Sequence, residues 1–586
     1  MVAPTAAPAI LILGAASLAT ARRIQAACPG ATVYGLAGRV PGAEAGGADV
    51  AYENFGNTLR ELYELDTPLV ALCAAGIIIR ALSPLLQNKR AEPPVLAVAE
   101  DGSAVVPLLG GLRGVNVLAR QIAAALEVAP AITTTGELRF GTCLINPPEG
   151  YSLRNMADGK TFISNLLAGD QARLAGDAPW LAEAKIPIAE DGRLQITVTD
   201  EDREAGTDEL VFHPRNIAIA VTAGAAAAAD ELVARIEALL TEHKLARASL
   251  ACLVAAEAEI TAGQLHQAAA QLGLPLRFVK TADDASAVAR AAIGTPAAVH
   301  AASGLVLAIA AGPLEPRQIG RARGRLAVVG IGPGEIGLMA PLVKTELQQA
   351  QDVLGYETYV RMAADAIGGF RPEQKLHATD NREEMMRARH AFELAAEGRH
   401  VVMVSSGDPG VFAMAAAVVE ALHDSDNPLW HGVDLAILPG ISAALAAASR
   451  AGAPLGHDFC ILSLSDNLKP WEIITKRLDH AAAADLAMAF YNPISKARPH
   501  QLAEALDIIR RHRTLETQVV LGRDIGRPAE KLRVVTLGEL TPEMVDMRTV
   551  VIIGSSLTRS FPKVGGGNWT YTPRWYGKKP EGAGKA

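Results

Sequence analysis

Four short polar motifs in the C-terminal half of this 586-residue chain follow apolar runs that are typical of buried strands. In the first motif, the β-branched run of residues 401–405 leads into "SSGDPG" and then into an Ala-rich helical pattern. Glycine frees the backbone there, and Asp408 supplies the only charge. Because open α/β folds bind ligands where strands end, this junction indicates a small-molecule site.

The other three motifs share this design. "LPGISAA" places Ser442 ahead of a helix, "YNPISKARP" places Asn492 after a strand, and "GRDIGR" lies in a loop between strands. Each motif combines glycine or proline with a small polar side chain, which suits a ligand held largely by backbone amides. The alternative, four ordinary connections without any ligand, stays open on the pattern alone.

A fifth motif, "VVGIGPGEIG", matches the GxGxxG spacing of a dinucleotide-binding loop, with acidic Glu357 beyond it. A dinucleotide site needs a helix that begins within the glycines, and Pro341 would then lie inside that helix at a cost of about 3 kcal/mol. Pro341 fits better in the first turn of a helix that starts there. An NAD-dependent reductase is therefore only a distant alternative.

Composition indicates a multidomain α/β protein, since half of the residues are apolar and only 4% are aromatic. The net charge of −8 argues against a sequence-independent nucleic-acid partner. We predict no metal site, because the five cysteines are scattered without CxxC pairs. The N-terminal apolar stretch, residues 10–13, is typical of a first strand rather than a signal peptide, and no apolar run could span a membrane. We therefore expect a cytoplasmic protein.

Changes in pattern divide the chain into several units. Strands alternate with helices in the first and third units, and "GPLEPRQIGRARG" has no apolar periodicity, which is typical of a linker. The predicted boundaries are 1–150, 151–215, 216–312, a linker at 313–324, 325–562, and an extended tail at 563–586.

Residues 325–562 resemble the tetrapyrrole methylases. The resemblance rests on five sequence strings that occur in the same order as in that family, namely "GIGPGE", "SSGDPGVFAMA", "LPGISAA", "YNPISKARP" and "GRDIGR". Within that family the strings are most similar to enzymes that methylate C17 of precorrin-3B or of cobalt-factor III. The resemblance implies two α/β lobes with S-adenosylmethionine in the cleft between them. It also implies a tetrapyrrole (precorrin) substrate, C17 methylation of precorrin-3B with ring contraction to precorrin-4, and a role in cobalamin biosynthesis. A homodimer is possible, because relatives tend to be dimers.

The same resemblance assigns cofactor-binding residues in each motif. Asp408 is expected to bind the ammonium group of the cofactor. Ala340 departs from the family, in which Thr is common at this position. The residues carried over as cofactor-binding are Pro333, Ser406, Gly407, Asp408, Ser442, Ala443, Asn492 and Ile525.

Catalytic and substrate-binding residues follow from the implied chemistry. In the resembling enzymes, C17 attacks the sulfonium methyl group and C20 leaves the ring as an acetyl group, a step in which a base can take part. The candidate bases are His457, Asp458 and Asp466. The carboxylate-rich substrate suggests cationic partners, namely Arg498, Arg523, Arg527 and Lys531. Structural roles, as core or capping groups and as surface ion pairs, remain open for these side chains.

Residues 1–312 resemble the cobalt-precorrin-5A hydrolases (CbiG-like), but the signature is eroded. Where that family has Ser-Gly-His, this chain has Gly110-Gly111-Leu112, and a leucine cannot perform acid–base work. We therefore predict a methyltransferase fused to a hydrolase-like region. Two alternatives stay open: a bifunctional enzyme that acts on cobalt-factor III and also opens the lactone of cobalt-precorrin-5A, and a binding or channelling role for the N-terminal half.

Overall fold

The computed structural model describes residues 7–42, 46–88, 91–280, 284–371, 373–379, 383–495 and 497–576. Across these ranges the strands form six sheets with helices packed against them. The predicted multidomain α/β class is confirmed. No helix within the same ranges combines the length and hydropathy needed to cross a bilayer.

The first unit is a sheet of order β3-β2-β1-β4-β5-β6, parallel except for the antiparallel last strand. Its central strands are fully buried and apolar, as strands covered by helices on both faces must be. The elements are β1 (Ala9–Ile12), α1 (Leu18–Ala27), β2 (Thr32–Leu36), β3 (Val50–Tyr52), α2 (Phe55–Glu64), β4 (Leu69–Leu72), α3 (Ala75–Leu82), β5 (Val95–Val98), β6 (Val105–Leu109) and α4 (Val115–Leu126).

The middle unit is a four-stranded sheet of order β7-β10-β9-β8. Its elements are α5 (Thr135–Phe140), β7 (Tyr151–Leu153), α6 (Gly159–Ala168), β8 (Ala172–Ala175), α7 (Pro179–Ala182), β9 (Leu194–Val198) and β10 (Glu209–Pro214). Phe140 and Leu144 pack in the apolar core of this unit, together with Phe212. The boundary predicted at residue 150 is therefore too late in the chain.

The third unit has six strands in the order β14-β15-β11-β12-β13-β16. Its elements are β11 (Ile217–Val221), α8 (Ala229–Glu242), β12 (Leu250–Ala256), α9 (Gly263–Leu272), β13 (Leu276–Val279), α10 (Ala285–Ile293), β14 (Ala298–Ala302), β15 (Leu305–Ile309) and β16 (Arg321–Ala322). The last strand lies in the stretch predicted as a linker, which is a correction. Ile319 is buried and Arg321 pairs with Glu257, so this stretch is fastened to the unit.

The first lobe of the C-terminal half is a five-stranded parallel sheet of order β19-β18-β20-β17-β21. Its helix α11 begins at Pro341, which confirms the prediction for that proline. The elements are β17 (Arg325–Gly330), α11 (Pro341–Gln349), β18 (Asp352–Tyr356), α12 (Glu357–Ile367), β19 (Lys375–Thr379), α13 (Glu384–Ala396), β20 (His400–Ser405), α14 (Met414–His423), α15 (Pro428–His431) and β21 (Asp434–Leu438).

The second lobe contains a mixed sheet of order β23-β24-β27-β25-β26 and a small sheet of order β22-β29-β28. Its elements are α16 (Ala443–Ala451), β22 (Gly452–Ala453), β23 (Phe459–Ser463), α17 (Trp471–Ala483), β24 (Ala487–Tyr491), α18 (Gln501–Arg510), β25 (Gln518–Arg523), β26 (Lys531–Thr536), β27 (Thr549–Ile553), β28 (Arg559–Pro562) and β29 (Asn568–Tyr571).

The segment predicted as an extended tail contains β29, which pairs with both β22 and β28. Thr570 in this strand is fully buried, and its side chain lies 3.1 Å from the Ser560 hydroxyl. The prediction of a tail from residue 563 is therefore corrected as far as residue 576. Residues 577–586 lie outside the described residues.

Candidate active site

A cleft of about 650 Å³ lies between the two lobes of the C-terminal half, and we refer to it as the interlobe cleft. The loops that follow β20, β21, β24 and β25 all contribute to its walls. It therefore lies at the carboxyl ends of the strands of the first lobe, as expected for an open α/β sheet.

Glycines let the loops at this edge approach each other closely. Gly407 has φ of +66°, and its N–H donates to the Gly332 carbonyl at 2.8 Å. A methyl group at Gly440 would lie 2.1 Å from the carbonyl oxygen of Gly407, and one at Gly330 would lie 2.5 Å from it. Only glycine fits this junction, which leaves backbone rather than side chains at the base of the cleft.

Asp408 ties two of these loops together. Its Oδ1 accepts a hydrogen bond from the Gly410 N–H at 2.8 Å, and its Oδ2 accepts one from the Gly440 N–H at 3.1 Å. The side chain is only half-buried, so the remaining lone pairs of the carboxylate face the cleft that Asp408 lines. A cationic ligand group could bind there through charge-assisted hydrogen bonds.

The second lobe supplies the opposite wall. The Tyr491 hydroxyl accepts a hydrogen bond from the Ala444 N–H at 2.9 Å, near the start of α16. Ser442 caps the same helix through its side chain. Asn492 has φ of +50°, and its Nδ2 donates to the Ser463 hydroxyl at 3.1 Å. These contacts fix the strand end and the helix start that border the cleft.

Side chains of the second lobe contact the loop after β17 of the first lobe, as in the ion pair of Arg450 with Glu335. The Arg527 side chain donates from Nε to the Pro333 carbonyl at 3.5 Å. Behind it, the buried carboxylate of Asp524 accepts hydrogen bonds from Arg523 at 2.8 Å and from Arg548 at 2.6 Å. The two arginines compensate the charge of Asp524 and stiffen this loop.

Burial also sets the protonation of several lining groups. It raises the pKa of the Tyr491 phenol and of the Tyr359 phenol above their usual range. It lowers the pKa of the Arg387 guanidinium. Both tyrosines are therefore neutral near pH 7 and available as hydrogen-bonding groups, in a cleft that is already partly shielded from water.

Every residue that the sequence assigned to the cofactor lines the interlobe cleft. They come from different loops, on both lobes, that lie far apart in the chain. The residues are Pro333, Ser406, Gly407, Asp408, Ser442, Ala443, Asn492 and Ile525.

The cations predicted to bind substrate are not brought together. Arg527 lines the cleft, whereas Arg523 is held by Asp524 and by Asp546 at 2.8 Å. Lys531 is exposed at the start of β26 and is not among the lining residues.

Arg498, the remaining cation, is buried and does not line the cleft. Its guanidinium donates to the carbonyls of Leu464 at 3.2 Å and Asn492 at 3.1 Å. These bonds hold the loop after β24 in place, so its contacts are those of a residue that supports the site from behind.

The three candidate bases all lie away from the cleft. His457 and Asp458 border a separate cavity of about 120 Å³ on the second lobe. Asp466 accepts a hydrogen bond from Gln501 at 3.2 Å. None of the three is among the residues that line the interlobe cleft.

Other lining residues were not found from the sequence. Aromatic side chains beside strand ends resemble core residues in a sequence, although Phe412 is 52% exposed and has φ of +53°. The positions of Phe412 within "SSGDPGVFAMA" and of Tyr491 within "YNPISKARP" are the signals that could have identified them. The main residues of this group are Tyr356, Tyr359, Glu384, Arg387, Phe412, Tyr491, Met547 and Arg548.

The turn that carries the altered signature has a leucine where the resembling family has a histidine. Leu112 lies in a short 3-10 turn between β6 and α4. The neighbouring Arg113 forms an ion pair with Asp66, so its guanidinium is already engaged. The contacts at this turn are those of a surface loop.

Comparison with known proteins identifies the family to which the chain belongs. A family model described as Tetrapyrrole (Corrin/Porphyrin) Methylases matches residues 325–541. A precorrin-3B C(17)-methyltransferase of Sinorhizobium sp is 51% identical over 253 residues, which cover 43% of this chain and 97% of that protein. The chain belongs to the tetrapyrrole methylase family. The predicted enzyme class, a methyltransferase, is confirmed.

Two further matches describe the tetrapyrrole methylase half. The cobalamin biosynthesis protein CobIJ of Mycobacterium bovis is 45% identical over 267 residues, 45% of this chain and half of that protein's length. A crystal structure of the methyltransferase CobJ has 52% sequence identity and a TM-score of 0.40, covering 43% of this chain and 100% of that one.

The N-terminal half of this tetrapyrrole methylase also has a family match. A model described as Cobalamin synthesis G N-terminal matches residues 57–137. This range runs from α2 to α5, and so includes the turn with Leu112. The predicted fusion of a methylase to a CbiG-like region is confirmed.

Proposed function

We propose that the C-terminal half transfers the methyl group of S-adenosylmethionine to C17 of precorrin-3B, with ring contraction to precorrin-4, in cobalamin biosynthesis. One observation carries the proposal: the residues assigned to the cofactor from separate motifs all line one cleft. The 51% identity to a precorrin-3B C(17)-methyltransferase supports the choice of substrate. Since the sulfonium activates the methyl group, the protein mainly positions the reactants and excludes water.

In this proposal the cofactor extends across both lobes. The methionine part binds at Gly407 and Asp408, where the lone pairs of the Asp408 carboxylate can accept hydrogen bonds from its ammonium group. The adenosine part binds against Asn492 and Ile525 on the second lobe. The Arg527–Pro333 hydrogen bond and the Arg450–Glu335 ion pair both join the two lobes that the cofactor bridges in this proposal.

The tetrapyrrole then binds at the open side of the same cleft. Arg527 and Arg548 line it and can pair with the carboxylates of the substrate. The exposed ring of Phe412 offers a face for the macrocycle, and the ammonium group of Lys469 lies 5.7 Å from its centroid. We propose that Arg498, Arg523 and Lys531 act indirectly, through the loops that they support.

Methyl transfer to an activated carbon needs no base, but ring contraction requires a proton acceptor. Among the carboxylates lining the cleft, Asp408 is held by backbone N–H groups and Asp524 by arginines. Glu384 is exposed at the start of α13 and lines the cleft. We propose Glu384 as the acceptor in place of His457, Asp458 or Asp466.

The direct test supplies purified full-length protein with S-adenosylmethionine that carries a deuterated methyl group. Metal-free precorrin-3B and cobalt-loaded cobalt-factor III are offered in parallel, and the products are weighed by mass spectrometry. We expect one labelled methyl group on the metal-free substrate. Binding of the cofactor without any transfer to either substrate would contradict the proposal.

A further inference from the structure

Phe412, in the loop between β20 and α14, has two features that packing within the chain does not explain. Its side chain is 52% exposed, and its φ of +53° lies in the left-handed region that bulky residues rarely adopt. The ring lines the interlobe cleft, and its centroid lies 5.7 Å from that of the Tyr491 ring on the second lobe. Strained backbone of this kind clusters at ligand-binding loops, where it is maintained for function rather than for stability.

A lysine of the second lobe lies next to this ring. Lys469, in the loop between β23 and α17, has its ammonium group 5.7 Å from the centroid of the Phe412 ring. This is within the distance of about 6 Å at which an aromatic ring attracts a cation. Lys469 is not among the lining residues of the interlobe cleft, so its ammonium group lies beside the cleft, next to a residue of the wall.

Lys469 lies in a cationic environment without a compensating carboxylate. The side chain is half-buried, and the loss of hydration together with the nearby guanidinium of Arg477 lowers its pKa. In the part of the chain that the structure describes, neither Lys469 nor Arg477 forms an ion pair or donates a side-chain hydrogen bond. Because like charges repel each other, an anionic group that binds beside these two cations is favoured.

We propose that Phe412, Lys469 and Arg477 form a substrate clamp. In this clamp the ring of Phe412 contacts the face of the tetrapyrrole, and the two cations pair with carboxylates on its periphery. The inference rests on the proposed methyl transfer and names residues that orient its substrate. A flat macrocycle with acidic side chains has both of the features that the clamp binds, an apolar face and peripheral carboxylates.

The clamp gives the substrate a preferred orientation. The two cations lie close together at one side of the cleft, so they favour the orientation that brings carboxylates to that side. The flexible stem of Lys469 lets its ammonium group turn from the aromatic ring to a carboxylate. The residues of the clamp therefore contribute to the choice of the ring carbon that faces the cofactor.

Steady-state kinetics on the full-length protein test the clamp. Lys469→Gln and Phe412→Ala should each raise the KM for precorrin-3B by about tenfold, with kcat within about twofold and with unchanged affinity for S-adenosylmethionine. Lys469→Arg, which keeps the charge, should raise KM less than Lys469→Gln does. Lys375→Gln is the matched control and should leave KM unchanged, because it removes an exposed ammonium group at the amino end of β19, away from the cleft.

Binding of uroporphyrin, a flat tetrapyrrole with a carboxylate-rich periphery, separates the clamp from the reaction. Quenching of its fluorescence measures the affinity at several salt concentrations. Salt should weaken binding to the wild type, and Lys469→Gln should bind more weakly and with a smaller dependence on salt. The side chains of Phe412 and Lys469 are not fully buried, so we expect the variants to fold.

Two results distinguish the clamp from the proposed methyl transfer. If Lys469→Gln and Phe412→Ala, with unchanged melting temperatures, bind uroporphyrin and use precorrin-3B as the wild type does, the clamp is overturned while the methyl transfer stands. If uroporphyrin binding depends on Lys469 in a protein that transfers no methyl group, the clamp is supported and the proposed function is contradicted.

Discussion

Asp408 Oδ2 accepts a hydrogen bond from the Gly440 N–H at 3.1 Å, which joins the loop after β20 to the loop after β21. The carboxylate therefore has two tasks in our account. It fixes the relative position of two loops at the base of the interlobe cleft, and its remaining lone pairs bind the cofactor's ammonium group.

Replacing this carboxylate should weaken cofactor binding. We expect Asp408→Ala to lower the affinity for S-adenosylmethionine by about 1.5 to 3 kcal/mol, the scale of a charge-assisted hydrogen bond. Calorimetry measures the change, and Asp426→Ala, which removes an exposed carboxylate after α14, serves as the control. Unchanged cofactor affinity in a folded Asp408→Ala variant would exclude Asp408 from the cofactor site.

The close approach of the loops gives a steric prediction. Gly440→Ala would place its methyl group 2.1 Å from the Gly407 carbonyl oxygen, whereas Gly337→Ala has no atom within 4 Å of its methyl group. Gly440→Ala should therefore destabilise the first lobe by about 1 to 3 kcal/mol and weaken cofactor binding. Gly337→Ala should do neither. Equal melting temperatures of the two variants would show that the loops can separate without a loss of stability.

The middle unit should have an acid-sensitive ion pair. Burial alone would raise the pKa of Glu209, but hydrogen bonds from Arg203, Thr197 and the Gly206 N–H lower it from 4.5 to about 2. Because the folded pKa is the lower one, this stabilisation is present above pH 4.5 and is lost as the pH falls toward 2.

Glu209→Gln tests this dependence. At neutral pH the variant should be less stable by about 1 to 3 kcal/mol, and its difference from the wild type should shrink as the pH falls below 4.5. The protein is digested by a protease at each denaturant concentration, and the peptides from residues 151–214 are quantified. Their release reports on the unfolding of this unit alone. If the stability difference between Glu209→Gln and the wild type stays constant with pH, the ionised carboxylate of Glu209 is not selectively stabilised in the folded state.

The N-terminal half should not open a lactone. Leu112 has no acid–base chemistry, and Arg113 is engaged by Asp66. We therefore expect no acetaldehyde, the two-carbon fragment released by the resembling hydrolases, when the full-length protein is given cobalt-precorrin-5A. Acetaldehyde that disappears in Glu92→Gln would mean that Glu92 has taken over the missing role.

Much of the fold could be predicted from the sequence because it depends on local pattern, whereas the cofactor residues came from the resemblance to a known family. Apolar β-branched runs predict strands, and Pro341 marks the start of a helix. Once the strands are known, the loops at the carboxyl ends of the parallel strands of the first lobe must meet at one edge of its sheet. Ser442 follows one of these strands, whereas Asn492 follows a strand of the second lobe and reaches the same cleft only because the two lobes pack together.

Long side chains could not be placed in this way, because their direction depends on tertiary contacts. Arg498 and Arg527 both follow cleft-forming strands, yet one bonds carbonyls behind the site and the other crosses its mouth. A cavity between the middle and third units could not be predicted from the sequence either. It brings Ser152 together with residues near Arg247, which only the packing of two units makes neighbours.

The central claim is that this chain methylates C17 and that contraction of the ring follows. The most direct measurement is the NMR spectrum of the product formed from precorrin-3B and S-adenosylmethionine with an isotopically labelled methyl carbon. Our account predicts that the label is attached at C17 and that C20 has left the ring as an acetyl group. A labelled methyl group at any other ring carbon, or at C17 of a ring that has kept C20, would contradict it.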